Sequence, residues 1–337
     1  MEPGDPMATR LVTVFGASGF VGRHVVQRLA AKGVQVRAAV RNPNEALFLK
    51  PMGDVGQITP VQANIRDAAQ VRAAVTGADA VVNLVGILYE SGKQRFDAVQ
   101  TTGADTIAKA ARAAGCGRLV HLSALGAAPL SPSRYARSKA AGEEAVRAAF
   151  PDAVILRPSV LFGPQDGFFN RFAAMAQFSP FLPVFGCPFP RLNHGKLNLY
   201  GSGGTKFQPV YVGDVADAVL KGLEDEATKG KTYELGGPRV YSFLEIMRMV
   251  MAETDRCRLI VPVPFWVGSI LALFSELWPV PPITRDQIRL LKADNVVSGK
   301  LPTLRDLGIE PTAAEVIVPT YLDVFRKGGR YRQPRLV

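Results

Sequence analysis

The chain has 337 residues, 47% of them hydrophobic and 20% charged, with 40 Lys and Arg against 29 Asp and Glu for a net charge of +11. That length suits two domains, or one α/β domain with an attached lobe. The composition excludes a disordered chain, a collagen-like repeat and a disulfide scaffold.

Cys116, Cys187 and Cys257 are odd in number and far apart, with no C-x-x-C pair. This fits a reducing compartment and argues against structural zinc. His24, His121 and His194 are too few for a His-rich metal site or a His-based triad. Each is read as structural or exposed, and no metal is expected. Residues 1–10 hold Pro3, Gly4 and Pro6 but no apolar run, so neither a signal peptide nor a transit sequence is expected. Met7 is a second candidate start.

The elements alternate from there. Leu11–Phe15 predicts a strand, followed by a Gly-rich turn and a helix to about Lys32. Strands are expected at Val36–Val40, Ile58–Gln62, Ala80–Leu84, Leu119–Ser123 and Ala153–Arg157. Helices are expected at Asp67–Thr76, Thr101–Ala114 and about Ser133 to Phe150. Strand–helix alternation implies an α/β fold, a Rossmann-type doubly wound parallel sheet. After Pro158 the rhythm changes. Pro and Gly cluster between Phe178 and Pro190 and predict a break in regular structure. Lys196–Leu199 and Phe207–Val212 suggest short strands. Asp214–Glu224 and Phe243–Glu253 suggest helices, the second opened by a capping box of Ser242 and Glu245. The expected division is a dinucleotide domain over 1–163, a smaller lobe over 164–325 interleaved with the sheet, and a basic tail over 326–337.

Gly16-Ala-Ser-Gly19-Phe-Val-Gly22 follows the first strand and opens a helix. Glycine there permits the tight turn, lets the backbone approach a pyrophosphate and lets helix pack on strand. The helix N-terminus then faces the phosphates. The alternative is a tight turn that holds nothing. An NAD site carries Asp or Glu about 20 residues beyond the glycines. Here Val36-Arg37-Ala38-Ala39-Val40-Arg41-Asn42 has no carboxylate. Arg41 in that place favours a 2′-phosphate, and so NADPH over NADH. Its plain alternative is a solvated surface charge.

Tyr135-Ala-Arg-Ser-Lys139 puts a phenol and an ammonium on one helix face. A nearby ammonium is expected to lower the tyrosine and make it a usable acid/base. Ser123, at the end of a strand, supplies a third hydroxyl. A Tyr and a Lys that merely decorate a helix are the alternative.

These residues, with Asn83-Leu-Val-Gly86 and Arg157-Pro-Ser-Val-Leu-Phe-Gly163-Pro164, resemble the extended and atypical short-chain dehydrogenase/reductases. The resemblance implies that Tyr135 moves a proton, that Lys139 holds the nicotinamide ribose, and that Ser123 orients the substrate oxygen. It further implies that Gly16, Ser18, Gly19, Phe20, Gly22, Arg41, Asn64, Val85, Gly86, Pro158 and Val160 line the dinucleotide. A narrower likeness rests on Met52-Gly-Asp-Val-Gly-Gln57, Arg95-Phe-Asp97, Gln208-Pro-Val-Tyr-Val212, Ile283-Thr-Arg-Asp286 and Asp306-Leu-Gly-Ile309. With these blocks the chain is similar to the dehydrogenase-like accessory subunit of respiratory complex I and its bacterial relatives. That likeness implies tightly bound NADPH in a structural role, complex I subunits near the quinone arm as partners, and a peripheral place on a membrane face. The face would be cytoplasmic in a bacterium and matrix-side in a mitochondrion. Relatives linked to ubiquinone biosynthesis keep a second reading open, an NADPH-dependent reductase of a quinone-like or isoprenoid substrate. A third is a redox-sensing regulator that binds NADPH and a protein partner.

Leu259–Ser275 carries no charge, but its flanking prolines leave only Phe265–Trp278 free to be helical, too short to span a membrane. Trp266 and Trp278 stand at its ends, which suits an interface. A core helix is the alternative. Arg326, Lys327, Arg330, Arg332 and Arg335 make a basic tail suited to anionic lipid or an acidic subunit. Nucleic acid is not expected, because no binding module accompanies the charge.

Overall fold

The computed structural model describes residues 10–187, 191–193 and 196–329. His194 and most of the basic tail, including Arg330, Arg332 and Arg335, lie outside the described residues. The chain divides into two compact units, one of residues 1–158, 212–235 and 298–310, the other of 159–211, 236–297 and 311–337.

The first unit is built on β1 (Leu11–Phe15), β2 (Gln35–Val40), β3 (Ile58–Gln62), β4 (Ala80–Asn83), β5 (Arg118–Leu122) and β6 (Val154–Pro158). A seventh strand, Thr232–Leu235, returns from far along the chain to pair with β6. The pairing order is Thr232–Leu235, β6, β5, β4, β1, β2, β3, and all pairs are parallel. This is the doubly wound order expected from the alternation. Its direction reverses between β1 and β4, where ligands of such sheets sit at the carboxyl ends of the strands. β5 is buried along its whole length, as a strand covered on both faces must be.

The helices of this unit are α1 (Phe20–Ala31), α2 (Ala68–Val75), α3 (Thr102–Ala113), α4 (Arg134–Ala149) and Val212–Glu224. In α1 the buried Val21, Val25, Val26 and Leu29 form one stripe. Its outer edge is tied to the helix Val212–Glu224 by Arg28–Asp217 at 2.5 Å and by Lys32–Glu224. Asp67 and Ser133 cap α2 and α4 by accepting first-turn N–H groups. A single wide turn, Asp97–Thr101, leads into α3. Gly142 of α4 packs there, where a Cβ would come within 2.2 Å of the Gln100 carbonyl oxygen.

The second unit has an aromatic core. Phe162, Phe169, Phe172, Phe185, Phe207 and Phe243 are buried together, many edge to face. The capping box of Ser242 and Glu245 opens the helix Phe243–Thr254 as expected. Three expectations fail here. Phe207–Val212 is no single strand. Lys206–Phe207 pairs antiparallel with Tyr241–Ser242, Val210–Tyr211 pairs parallel with Leu161–Phe162, and Val212 already begins a helix. Pro209, without an N–H, sits at the break. Asp214 consequently lies within the first turn of that helix, not at its start. The stretch after Phe178 is also not irregular, because Phe181–Phe185 forms a strand with Leu259–Val263. Pro183 and Pro262 are tolerated because a two-stranded ladder leaves each strand a free edge.

The apolar helix runs Phe265–Ser275. Its small residues face inward. A Cβ on Gly268 would come within 2.8 Å of Phe185 and 3.0 Å of Ile288. Trp266, Ile270, Leu271, Leu273 and Phe274 are exposed, as are Leu277, Trp278 and Val280 just beyond. Among the described residues no helix is long and apolar enough to cross a membrane. Arg326, at the start of the basic tail, is engaged with Glu253.

Candidate functional site

The glycine turn joins β1 to α1. Gly16 has φ +79°, a conformation that a side chain resists. Its N–H donates to the Ala39 carbonyl at 3.2 Å, so the turn lies beside the end of β2. A Cβ on Gly22 would come within 2.2 Å of the Gly16 oxygen, so only glycine lets α1 come this close to the turn. Gly19 occupies the N-cap of α1 and is exposed. Unlike α2 and α4, α1 has no capping side chain, and its first turn has no acid. Its leading N–H groups are thus unopposed by a protein carboxylate, as a phosphate site requires. Ser18 and Phe20 flank this cap and are half-buried.

Contacts lead from the turn across the sheet end. A Cβ on Gly16 would lie 3.3 Å from the Val85 nitrogen, and one on Gly86 would lie 3.3 Å from Lys139 Nζ. Lys139 Nζ donates to the Leu122 carbonyl at 3.1 Å, beside Ser123. Ser123 N–H donates to Leu156, and Leu125 N–H donates to Pro158 at 2.9 Å, which ties β5 to the end of β6. Gly16, Val85, Gly86, Lys139, Ser123 and Pro158 are therefore one contiguous surface of the first unit. Tyr135 sits one helical turn before Lys139, its ring edge to face with Phe96. Ser123 Oγ is buried and without a partner among the described residues, an acceptor and donor available to a ligand.

The expected electrostatics of the pair are not met. Burial pushes Tyr135 up to about 12. Burial pushes Lys139 down to about 8, with Glu143 pulling it back up. The ammonium already serves the Leu122 carbonyl, and Glu143 on the same helix face offsets its charge, so desolvation governs the phenol.

The remaining expected residues are placed differently. Arg41 is exposed, two residues beyond Ala39 at the end of β2. Asn64 follows β3, two strands from β1, and its Oδ1 accepts from Arg66. Val160 belongs to the second unit, where its N–H donates to Asn295 Oδ1 at 3.0 Å.

Sequence reasoning missed several supports. Arg23 donates to the Ser18 carbonyl and lies 5.1 Å from the Phe48 ring centre, framing the turn. Its position directly after Gly22 was the available signal. Asn83, which opens the Asn83-Leu-Val-Gly86 motif, accepts at Oδ1 from Val85 N–H at 3.1 Å and so holds the loop after β4. That bond fixes the amide, so Nδ2 donates to His121 Nδ1 at 3.1 Å. Burial holds His121 down at about 3, hence neutral. Arg157 grips Glu143 in a two-pronged pair at 2.8 and 2.6 Å, nearly buried beneath α4.

Residues 16–172 match the NAD(P)H-binding family. Over 324 residues the chain is 34% identical to mouse NADH dehydrogenase (ubiquinone) 1 alpha subcomplex subunit 9, mitochondrial, covering 96% of this chain and 81% of that protein. The Arabidopsis thaliana protein of the same name is 36% identical, with 95% and 79% covered. The chain belongs to the subunit 9 family. The resemblance read from the motifs thus holds through both units. An Escherichia coli NADPH-dependent quinone oxidoreductase, solved with NADPH, superposes with a TM-score of 0.67 at 19% identity over 92% of this chain and 99% of that one. That likeness concerns the fold. The glycine cradle fits a dinucleotide on its own geometry. In this member of the subunit 9 family, Gly16, Ser18, Gly19, Phe20 and Gly22 make up that cradle where β1 passes into α1.

Proposed function

We propose that the chain is an accessory subunit of respiratory complex I that holds NADPH as a structural group. The observation that carries this reading is the match to the subunit 9 proteins over nearly the whole chain, which includes the apolar helix as well as the glycine turn. A nicotinamide dinucleotide supplies hydride chemistry when bound. In this reading the chain's residues grip and shield it instead. Lys139 holds the ribose, Ser123 meets the nicotinamide end, and Pro158 lines it. A tyrosine raised to about 12 is a hydrogen-bond donor far more readily than a base at neutral pH. Arg41 reads the 2′-phosphate, while Asn64 and Val85 with Gly86 border the adenosine and the middle of the cofactor.

The exposed face of Phe265–Ser275 with Trp278 supports a peripheral seat on the membrane face beside the quinone arm. The experiment is purification of the tagged protein from mildly solubilised membranes, followed by a native gel stained for NADH dehydrogenase activity. Co-migration with complex I is expected. Migration alone with NADPH bound would sink the accessory reading.

The buried, unpartnered Ser123 hydroxyl beside Lys139 favours a second reading, an NADPH-dependent reductase of a quinone-like or isoprenoid substrate. It requires NADPH oxidation on addition of such a substrate, lost in Tyr135→Phe. The structural reading requires the same slow oxidation rate, and the same NADPH retention within about threefold, in wild type and Tyr135→Phe.

A further inference from the structure

The first unit has a second concavity. A cleft of about 520 Å³ is lined by Arg10, Asp79, Gly115, Arg118, Glu226 and Lys229, among others. β1, β4 and β5 begin at Leu11, Ala80 and Arg118. The cleft therefore opens at the amino edge of the sheet, whereas the glycine turn, Val85 and Ser123 stand at its carboxyl edge. Its volume lies within the range of small-molecule sites.

The charges in the cleft are unevenly used. Asp79 Oδ2 is occupied by the Leu11 N–H at 2.7 Å. Arg118 is only 6% exposed. Its Nη2 donates to Glu226 Oε1 at 2.8 Å, while Nη1 has no partner among the described residues. A buried guanidinium nitrogen without an acceptor is costly, and a ligand oxygen would satisfy it. Lys229 Nζ reaches Glu226 Oε2 at 2.5 Å. One carboxylate thus serves two cations, with Arg10 adding to the same field. Glu226 is held below the usual carboxylate range by the Lys229 hydrogen bond first, then by the charges of Arg118, Lys229 and Arg10. Yet its side chain is 75% exposed, on the short turn Glu226–Thr228. It can swing into water without disturbing the core.

We propose that this cleft binds a small phosphate-bearing metabolite, with Arg118 and Lys229 gripping the phosphate and Glu226 as the internal counter-ion it displaces. A dianion with three acceptor oxygens can serve Arg118 Nη1, Arg118 Nη2 and Lys229 together, which the single Glu226 carboxylate does not. The volume beyond the phosphate admits a small body, and its apolar lining of Val12, Ala78 and Leu223 is compact. Among the described residues no aromatic ring lines it to stack a base, so a nucleotide is the poorer fit.

The test uses the full chain with NADPH in excess and inorganic phosphate as the probe, at constant ionic strength against chloride. The readouts are the thermal midpoint and the ³¹P line width. Saturable binding is expected in the wild type. Glu226→Gln removes the competing charge and should tighten it about fivefold to tenfold. Lys229→Gln should weaken it by a similar factor. Both positions are on the surface, so folding survives either change. Absence of saturable binding in all three proteins, or equal affinity in all three, overturns the proposal. Phosphate bound at the glycine turn would respond to neither variant, so that outcome gives the equal affinities which overturn the cleft and leaves the cofactor reading standing.

Discussion

Two helices of nearly equal length solve opposite problems. α3, 12 residues, buries Ala104, Ile107, Ala108 and Ala111 and turns its polar side outward. Phe265–Ser275, 11 residues, buries Gly268, Ala272 and Ser275 and turns its largest apolar side chains outward. In α3 the hydrophobic effect holds the unit together. In Phe265–Ser275 small residues hold the helix to its own unit, and the large ones await another surface. The same composition rule thus serves folding in one region and association in the other.

Paired substitutions separate these roles most sharply. Ile107→Asp puts an unpaired carboxylate where no water reaches, and should cost at least about 4 kcal/mol in urea unfolding. Leu271→Asp should change stability by less than about 0.5 kcal/mol but abolish recovery with membranes. If Leu271→Asp unfolds the protein instead, the outward face is core, and the comparison fails. Gly22→Ala comes next in size. The added methyl meets the backbone oxygens of Gly16 and Ala17 at 2.2 and 2.5 Å, and backbone cannot step aside. A loss of about 2–3 kcal/mol is expected, with loss of NADPH from the purified protein. Retained NADPH with unchanged stability would show that the turn relaxes.

The regions also differ in their answer to pH. Phe265–Ser275 contains no titratable group. The first unit buries His121, whose value falls from 6.5 to about 3 on folding. Because the folded value is the lower one, its contribution is complete above pH 6.5 and declines as pH falls towards 3. Between pH 6.5 and 5 that decline is about 2 kcal/mol. Lys139 adds nothing in this window, since it is charged in both states below about 8. The measurement is the urea midpoint at pH 7 and pH 5 for wild type and His121→Phe. Parallel declines in the two proteins would contradict a buried neutral imidazole.

The order of the sheet was legible because its evidence is local. β1 to β6 each announce themselves by an apolar run, and the first glycine turn by its spacing. Thr232–Leu235 went unseen, since its place beside β6 depends on a return over some seventy residues that no local pattern records. The Tyr135–Lys139 spacing was visible, but its electrostatics were not. Sequence supplies the distance along a helix, whereas the depth of burial and the pull of Glu143 belong to packing. Arg118 and Glu226 are 108 residues apart, so their pairing could come only from the folded chain. The outward face of Phe265–Ser275 was half legible. The prolines set its length, while the choice between core and surface rested on which residues Phe185 and Ile288 leave room for.

The smallest expected effect concerns cofactor choice. Arg41 is exposed at the end of β2, where the first glycine is tied by Gly16 N–H to Ala39. An exposed guanidinium works through a solvated contact, so its contribution is modest and salt-dependent. Arg41→Asp should weaken NADPH by about tenfold and NADH by less than twofold, and the gap should narrow as salt rises. Arg23 sets a bound on this effect. Its guanidinium already faces the turn through Ser18 and Phe48, so part of the preference for a phosphate survives the loss of Arg41. Equal losses for both cofactors would remove Arg41 from the 2′-phosphate. The selectivity would then rest on Arg23, and on the absence of any carboxylate in the stretch Val36–Asn42 to repel the phosphate.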